Sequence, residues 1–170
     1  NKLRVFPWGQ AIVEKVQDPD GVALTNEFSD YDTSSEWWRY GKLKARKYAD
    51  GSWIAFDYCT NNGYRRLEVT PWKDSPCGSA AGSAKATYYD YSPVDPQDSS
   101  LLNDERPRTV TEKVLGTTIS KTYYAYVTNA VREVTAIEET VLTADAEYGD
   151  TNNMRIATTY FGTNVATYKR

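Results

Sequence analysis

The 170-residue sequence contains no histidine, and that absence removes the most versatile side chain in enzyme chemistry. Without imidazole there is no Ser-His-Asp or Cys-His arrangement, no histidine general base and no mixed Cys/His zinc site. Cysteine is scarce too: Cys59 and Cys77 are the only two. They either form one disulfide, worth about 3 kcal/mol for a loop of that length, or stand as two thiols. No apolar run approaches the ~18 residues that a membrane-spanning helix needs. Neither sign of charge is in excess, since 20 basic and 23 acidic residues are interspersed and leave a net −3. The basic patch that nucleic-acid binding requires is therefore missing. A Gly-rich phosphate loop and an EF-hand spacing are missing as well.

What the sequence does have is tyrosine and tryptophan, 14 and 5 residues against 4 phenylalanines. Such amphipathic aromatics suit strands with one wet face and one packed face. A chain of this length can bury roughly 70% of its unfolded surface, enough for a core without staples. The most informative stretch is Tyr48–Leu67. Asp50-Gly51 is a tight-turn dipeptide, because both residues tolerate positive φ. Ser52, Ile54, Phe56 and Tyr58 then alternate with Trp53, Ala55 and Asp57, the period-2 pattern of a strand. Asn61-Asn62-Gly63 is the next turn, and Arg65–Val69 starts another strand.

That unit recurs. Aligned on Gly21, Gly51 and Gly116, the third residue onward is Leu24, Ile54 or Ile119, and the seventh is Phe28, Tyr58 or Tyr123. Both offsets are odd, which predicts one shared apolar strand face. Pro19-Asp20-Gly21 and Ala49-Asp50-Gly51 each lead into a strand ending in Phe28-Ser29-Asp30-Tyr31-Asp32 or Phe56-Asp57-Tyr58. Asn62-Gly63-Tyr64-Arg65-Arg66-Leu67 and Tyr40-Gly41-Lys42-Leu43 supply a Gly-Arg-Leu-like continuation. Arg106–Thr111, running into Lys121–Tyr126, has the same character. In these motifs the chain resembles the YD repeats of bacterial Rhs proteins. It departs from them at Cys59, where Asp usually follows the tyrosine, at the extra Tyr64, and throughout 72–107.

The resemblance implies an all-β fold of antiparallel β-hairpin repeats forming an extended, coiled sheet. The expected organisation is YD-like hairpins over 1–71, a flexible insertion over 72–107, and further hairpins of the same sheet over 108–170. Strands are expected at Gln10–Gln17, Val22–Phe28, Lys42–Tyr48, Lys85–Tyr91, Arg108–Val114, Thr117–Tyr126, Arg155–Phe161 and Asn164–Tyr168, with Ser29–Glu36 as a polar loop. Val131–Leu142 contains helix formers, but its alternation favours a strand over a helix.

Candidate chemistry is thin. Asp30, Asp32, Glu36, Asp57 and Asp90 are the carboxylates from which a glycosidase pair would be drawn, yet turn hydrogen bonding explains most of them. Cys59 lacks an imidazole partner as a nucleophile. The reading is therefore no catalytic residue, no cofactor and no metal. Aromatic faces offer a binding alternative through Trp37, Trp38, Tyr40, Trp53 and Trp72, which would stack on sugar rings.

The function these observations lead to expect is a non-enzymatic segment of a Rhs-like shell that encloses a polypeptide cargo or displays a recognition surface. The alternative is a secreted carbohydrate-binding β domain. Secretion or a cell-surface location is implied by the resemblance alone. The absence of a starting methionine reads as a piece of a longer polypeptide. Its partners would be other segments of that chain, or further copies, joined through the edge strands near Lys2–Val5 and Asn164–Tyr168. Cargo or glycan are the other candidate partners, with no nucleic acid and no membrane span.

Overall fold

Hairpins dominate because short turn signals separate runs of alternating residues. The computed structural model describes residues 1–17, 24–61, 64–72, 85–98, 106–128, 134–143, 145–161 and 164–169. Within them lie twelve strands: β1 (Lys2–Phe6), β2 (Gly9–Gln17), β3 (Leu24–Tyr31), β4 (Leu43–Tyr48), β5 (Trp53–Asn61), β6 (Tyr64–Trp72), β7 (Lys85–Asp90), β8 (Thr109–Val114), β9 (Thr117–Thr128), β10 (Val134–Thr140), β11 (Met154–Phe161) and β12 (Asn164–Lys169). They form one sheet whose spatial order is the sequence order. Every pairing whose register is described is antiparallel. The expected all-β, antiparallel hairpin fold is what the chain adopts. No helix among the described residues is long and apolar enough to cross a membrane. Strand wins over helix at β10, where the seven residues pair with both β9 and β11.

The turns follow their residue chemistry. Leu115 and Gly116 join β8 to β9 with φ of 47° and 81°, the two positive values of a type I′ hairpin turn. Gly51 has φ 83°, and the Gly51 N–H donates to the Tyr48 carbonyl. Asp50 accepts from the Ser52 amide at 2.9 Å and hydroxyl at 2.6 Å, closing an Asx turn. Gly21 and Asn62-Gly63, two other expected turns, lie outside the described residues.

Two expectations need correction. The polar loop expected from Ser29 starts later, because β3 runs on to Tyr31, with Ser29 buried opposite Arg46. The single apolar face also fails, since Ile119 is 57% exposed and Phe28 44% exposed. The cause is β-bulges. Glu112 pairs with Ser120 and Lys113 with Thr118, so Ile119 is the extra residue of a bulge. Lys15 pairs with Glu27 and Val16 with Thr25, so Asn26 is inserted between Leu24 and Phe28. One inserted residue exchanges the faces of everything beyond it. Ile54 and Tyr58 are half-buried and Tyr123 is buried, whereas the side chain of Leu24 is outside the described set.

Two compact units can be distinguished, Asn1–Cys59 with Leu67–Ala86, and Thr60–Arg66 with Thr87–Arg170. In the first, Phe6, Ala45 and Ala86 are the buried apolar residues described. Cross-strand ion pairs run over its surface: Lys2 with Glu14 at 2.9 Å, Lys15 with Glu27 at 3.2 Å, and Arg46 also with Glu27 at 3.2 Å. In the second unit, Thr109, Tyr123, Glu139 and Arg155 oppose one another in a row across β8, β9, β10 and β11. Ala125 and Ile137 lie beside that row, both buried.

Candidate functional site

The best-defined surface feature of the first unit is the loop between β3 and β4, residues 32–42. Its base is closed by two backbone bonds, Asp32 N–H to the Lys42 carbonyl at 2.8 Å and Gly41 N–H to the Asp32 carbonyl at 3.0 Å. Asp32 is buried and its carboxylate ties the interior of the loop. It accepts from the Ser34 amide at 2.8 Å and from Arg39 Nε at 2.7 Å. Burial pushes this carboxyl upward, but the Ser34 amide, the Arg39 guanidinium and the Ser34 hydroxyl together outweigh it and hold it below its ordinary value. The Glu36 carbonyl accepts from both the Arg39 and Tyr40 amides, at 3.0 and 2.8 Å, making a tight turn over 36–40. Arg39 Nη1 lies 3.4 Å from Glu36 Oε2 on the outside.

This loop sorts the aromatic residues into two groups. Tyr40 meets Trp8 edge-on at 4.9 Å, and Trp8 stacks on Phe6 at 4.6 Å with an 11° interplanar angle. Tyr31 closes the group against Phe6 and donates its hydroxyl to the Ile12 carbonyl. Gly41 is needed here twice over. Its φ is +73°, and an added Cβ would stand 3.1 Å from the Trp8 ring. The second group is Trp37 and Trp38, perpendicular to each other at 87° with centroids 5.7 Å apart. Trp37 is 67% exposed, the most open aromatic described.

Trp53 is elsewhere. It opposes Lys47, whose ammonium sits 5.2 Å above its ring, at the far end of β4 from the loop. Lys47 lies four residues along the strand from Leu43, about 13 Å away. The side chain of Trp72 lies outside the described residues. Of the five aromatics singled out, the structure thus gathers Trp37, Trp38 and Tyr40 on one loop and sets Trp53 apart. Trp8 was not among them, since its position in a Pro-Trp-Gly turn gives no sign that Tyr40 meets it.

Several described carboxylates of the second unit are bound up in structure. Glu139 is fully buried, and its Oε1 accepts from the Gly149 amide at 2.6 Å and from Asn153 Nδ2 at 2.7 Å. Arg155 Nη1 is 3.9 Å from its other oxygen. Asn153 also donates to the Glu147 carbonyl, and Tyr123 donates to that of Ala146, so residues 146–153 are fastened down on the row of opposed residues. Tyr148 packs edge-on against Tyr123 and donates to Asp95 at 3.0 Å. Burial first, and then that hydrogen bond, push the Tyr148 hydroxyl up to about 12. Asp98 and Arg108 form a buried ion pair, Asp98 also accepting the Tyr126 amide at 3.3 Å. This anchors residues 91–98 to β9.

Of the carboxylates considered for catalysis, Asp32 and Glu36 hold the 32–42 loop. Asp30 accepts its neighbour's amide and faces Lys44 at 4.0 Å, and Asp90 faces Arg66 at 3.4 Å. Asp57 is exposed. Glu139 and Asp98, the most buried acids, were missed. Glu139 was open to detection, because it shares strand parity with Ile137. No group of three or more His, Cys, Asp or Glu side chains able to hold a metal occurs among the described residues. Compared with known proteins, the chain matches no family model, no curated protein and no solved structure at a significant level.

Proposed function

We propose that this chain is a non-enzymatic structural segment of a Rhs-like YD-repeat wall, which encloses a polypeptide cargo or displays a recognition surface. The observation that carries the reading is the strand order: each strand neighbours only the strands before and after it in sequence. A sheet built this way grows by adding hairpins, each of which completes the burial of its neighbour. Its buried carboxylates support the same reading, since Asp32, Asp98 and Glu139 fasten loops to strands. A secreted or cell-surface location goes with the proposal. A free-standing secreted carbohydrate-binding domain is the second reading, favoured by one observation, the exposure of Trp37 on a tied loop.

Protease protection tests the wall. The native polypeptide that carries this chain is treated with a broad-specificity protease and its fragments are followed by mass spectrometry. A wall predicts that an enclosed polypeptide survives until denaturant opens the sheet. Digestion of every other segment under native conditions, with only these 170 residues left intact, contradicts it.

A further inference from the structure

The exposed corner formed by Trp37 and Trp38 remains without a role in the wall. We propose that loop 32–42 is a binding site for a neutral sugar residue, with Trp37 as the stacking face and Glu36 and Arg39 as the groups that meet its hydroxyls. The inference deepens the second reading, a carbohydrate-binding domain, and rests on it; that reading survives if sugar binds at aromatics other than Trp37.

The loop has the parts that such a ligand needs. A pyranose presents a flat C–H face, which an open indole covers, and a rim of hydroxyls that both donate and accept. Trp37 supplies the open indole at 67% exposure, and Trp38 stands perpendicular to it as the second wall of the corner. Glu36 supplies an acceptor and Arg39 supplies donors, from the same turn, with side chains 46% and 35% exposed. A few placed polar groups around an apolar surface are the usual make-up of a small-ligand site. The loop is also held in shape beforehand. The Asp32 carboxylate and the Glu36 carbonyl each take two bonds from within it, so little ordering remains to oppose binding.

Other ligands fit less well. A nucleic acid offers bases that would stack on Trp37, but its phosphates need uncommitted positive charge. Arg39 is already shared between Asp32 at 2.7 Å and Glu36 at 3.4 Å. A quaternary ammonium would favour the two rings and Glu36. Glu36 is itself engaged by Arg39 at 3.4 Å, so it does not offer an uncommitted negative charge to hold that cation.

The test is titration of the chain with neutral glucose and N-acetylglucosamine oligosaccharides, followed by tryptophan fluorescence and calorimetry. Saturable binding is expected, weakened at least tenfold by Trp37→Ala and more moderately by Glu36→Gln. Ile119→Thr, an exposed change in the other unit, should leave it untouched. Circular dichroism confirms that each variant is folded. The proposal is overturned by no saturable binding of any neutral oligosaccharide, by binding that Trp37→Ala leaves unchanged, or by saturation by choline in place of sugar. A sedimentation coefficient that falls on Trp37→Ala also overturns it, because the corner is then a contact between copies.

Discussion

At the scale of single residues, buried carboxylates in this protein act as fasteners. Glu139 ties down residues 149–153, accepting one main-chain and one side-chain donor on a single oxygen. Replacing it by alanine leaves the part-buried Gly149 amide without that acceptor and takes one of two acceptors from the buried Asn153 amide group, at about 1–3 kcal/mol in all. Chemical denaturation of Glu139→Ala should show a loss in that range or above it, and an unchanged midpoint would show the segment to be fastened otherwise. Asp32 makes a matching prediction in pH. Its folded pKa lies below that of an unfolded aspartate, about 3.9, so its contribution is complete above that value and fades as pH falls through the lower folded one. Fluorescence of Trp37 and Trp38 should therefore report a loosening of loop 32–42 in acid. In Asp32→Asn that acid transition should disappear.

At the scale of elements, turns and bulges divide the work. Turns were legible in the sequence because their signals are local: Asp50-Gly51 forms a hairpin turn through positive φ and an Asx bond, both intrinsic to those residues. Bulges were not legible, because an inserted residue such as Ile119 is defined by the partner strand, and no local pattern shows it. That is why a repeat with regular offsets gave the right strands and the wrong faces. The candidate site divides the same way. Trp37 and Trp38 were readable as two of five candidate stacking aromatics, whereas the Asp32–Arg39 tie depends on how the loop closes. Leu115 is the one described non-glycine residue with positive φ, and it is 81% exposed. Asparagine visits that conformation more readily than leucine. Leu115→Asn should accordingly stabilise the β8–β9 hairpin by up to about 1 kcal/mol, read as a higher thermal midpoint. A drop would mean the leucine side chain packs in a way its exposure does not show.

At the scale of the whole molecule, the sheet's order is its most informative property. Twelve strands laid down in sequence order place nearly all pairing between chain neighbours. Such a structure gains stability by extension, and the proposed wall would place function on the assembled surface, with single loops such as 32–42 left to carry local binding. Its buried acids Asp32, Asp98 and Glu139 hold loops. The measurement that tests this account most directly is electron cryomicroscopy of the native polypeptide that carries the chain. The account predicts a hollow β-sheet shell in which β1 to β12 run consecutively through the wall and continue into further hairpins. A separate domain of these residues, with β1 and β12 facing solvent and no sheet continuing from either, would contradict it.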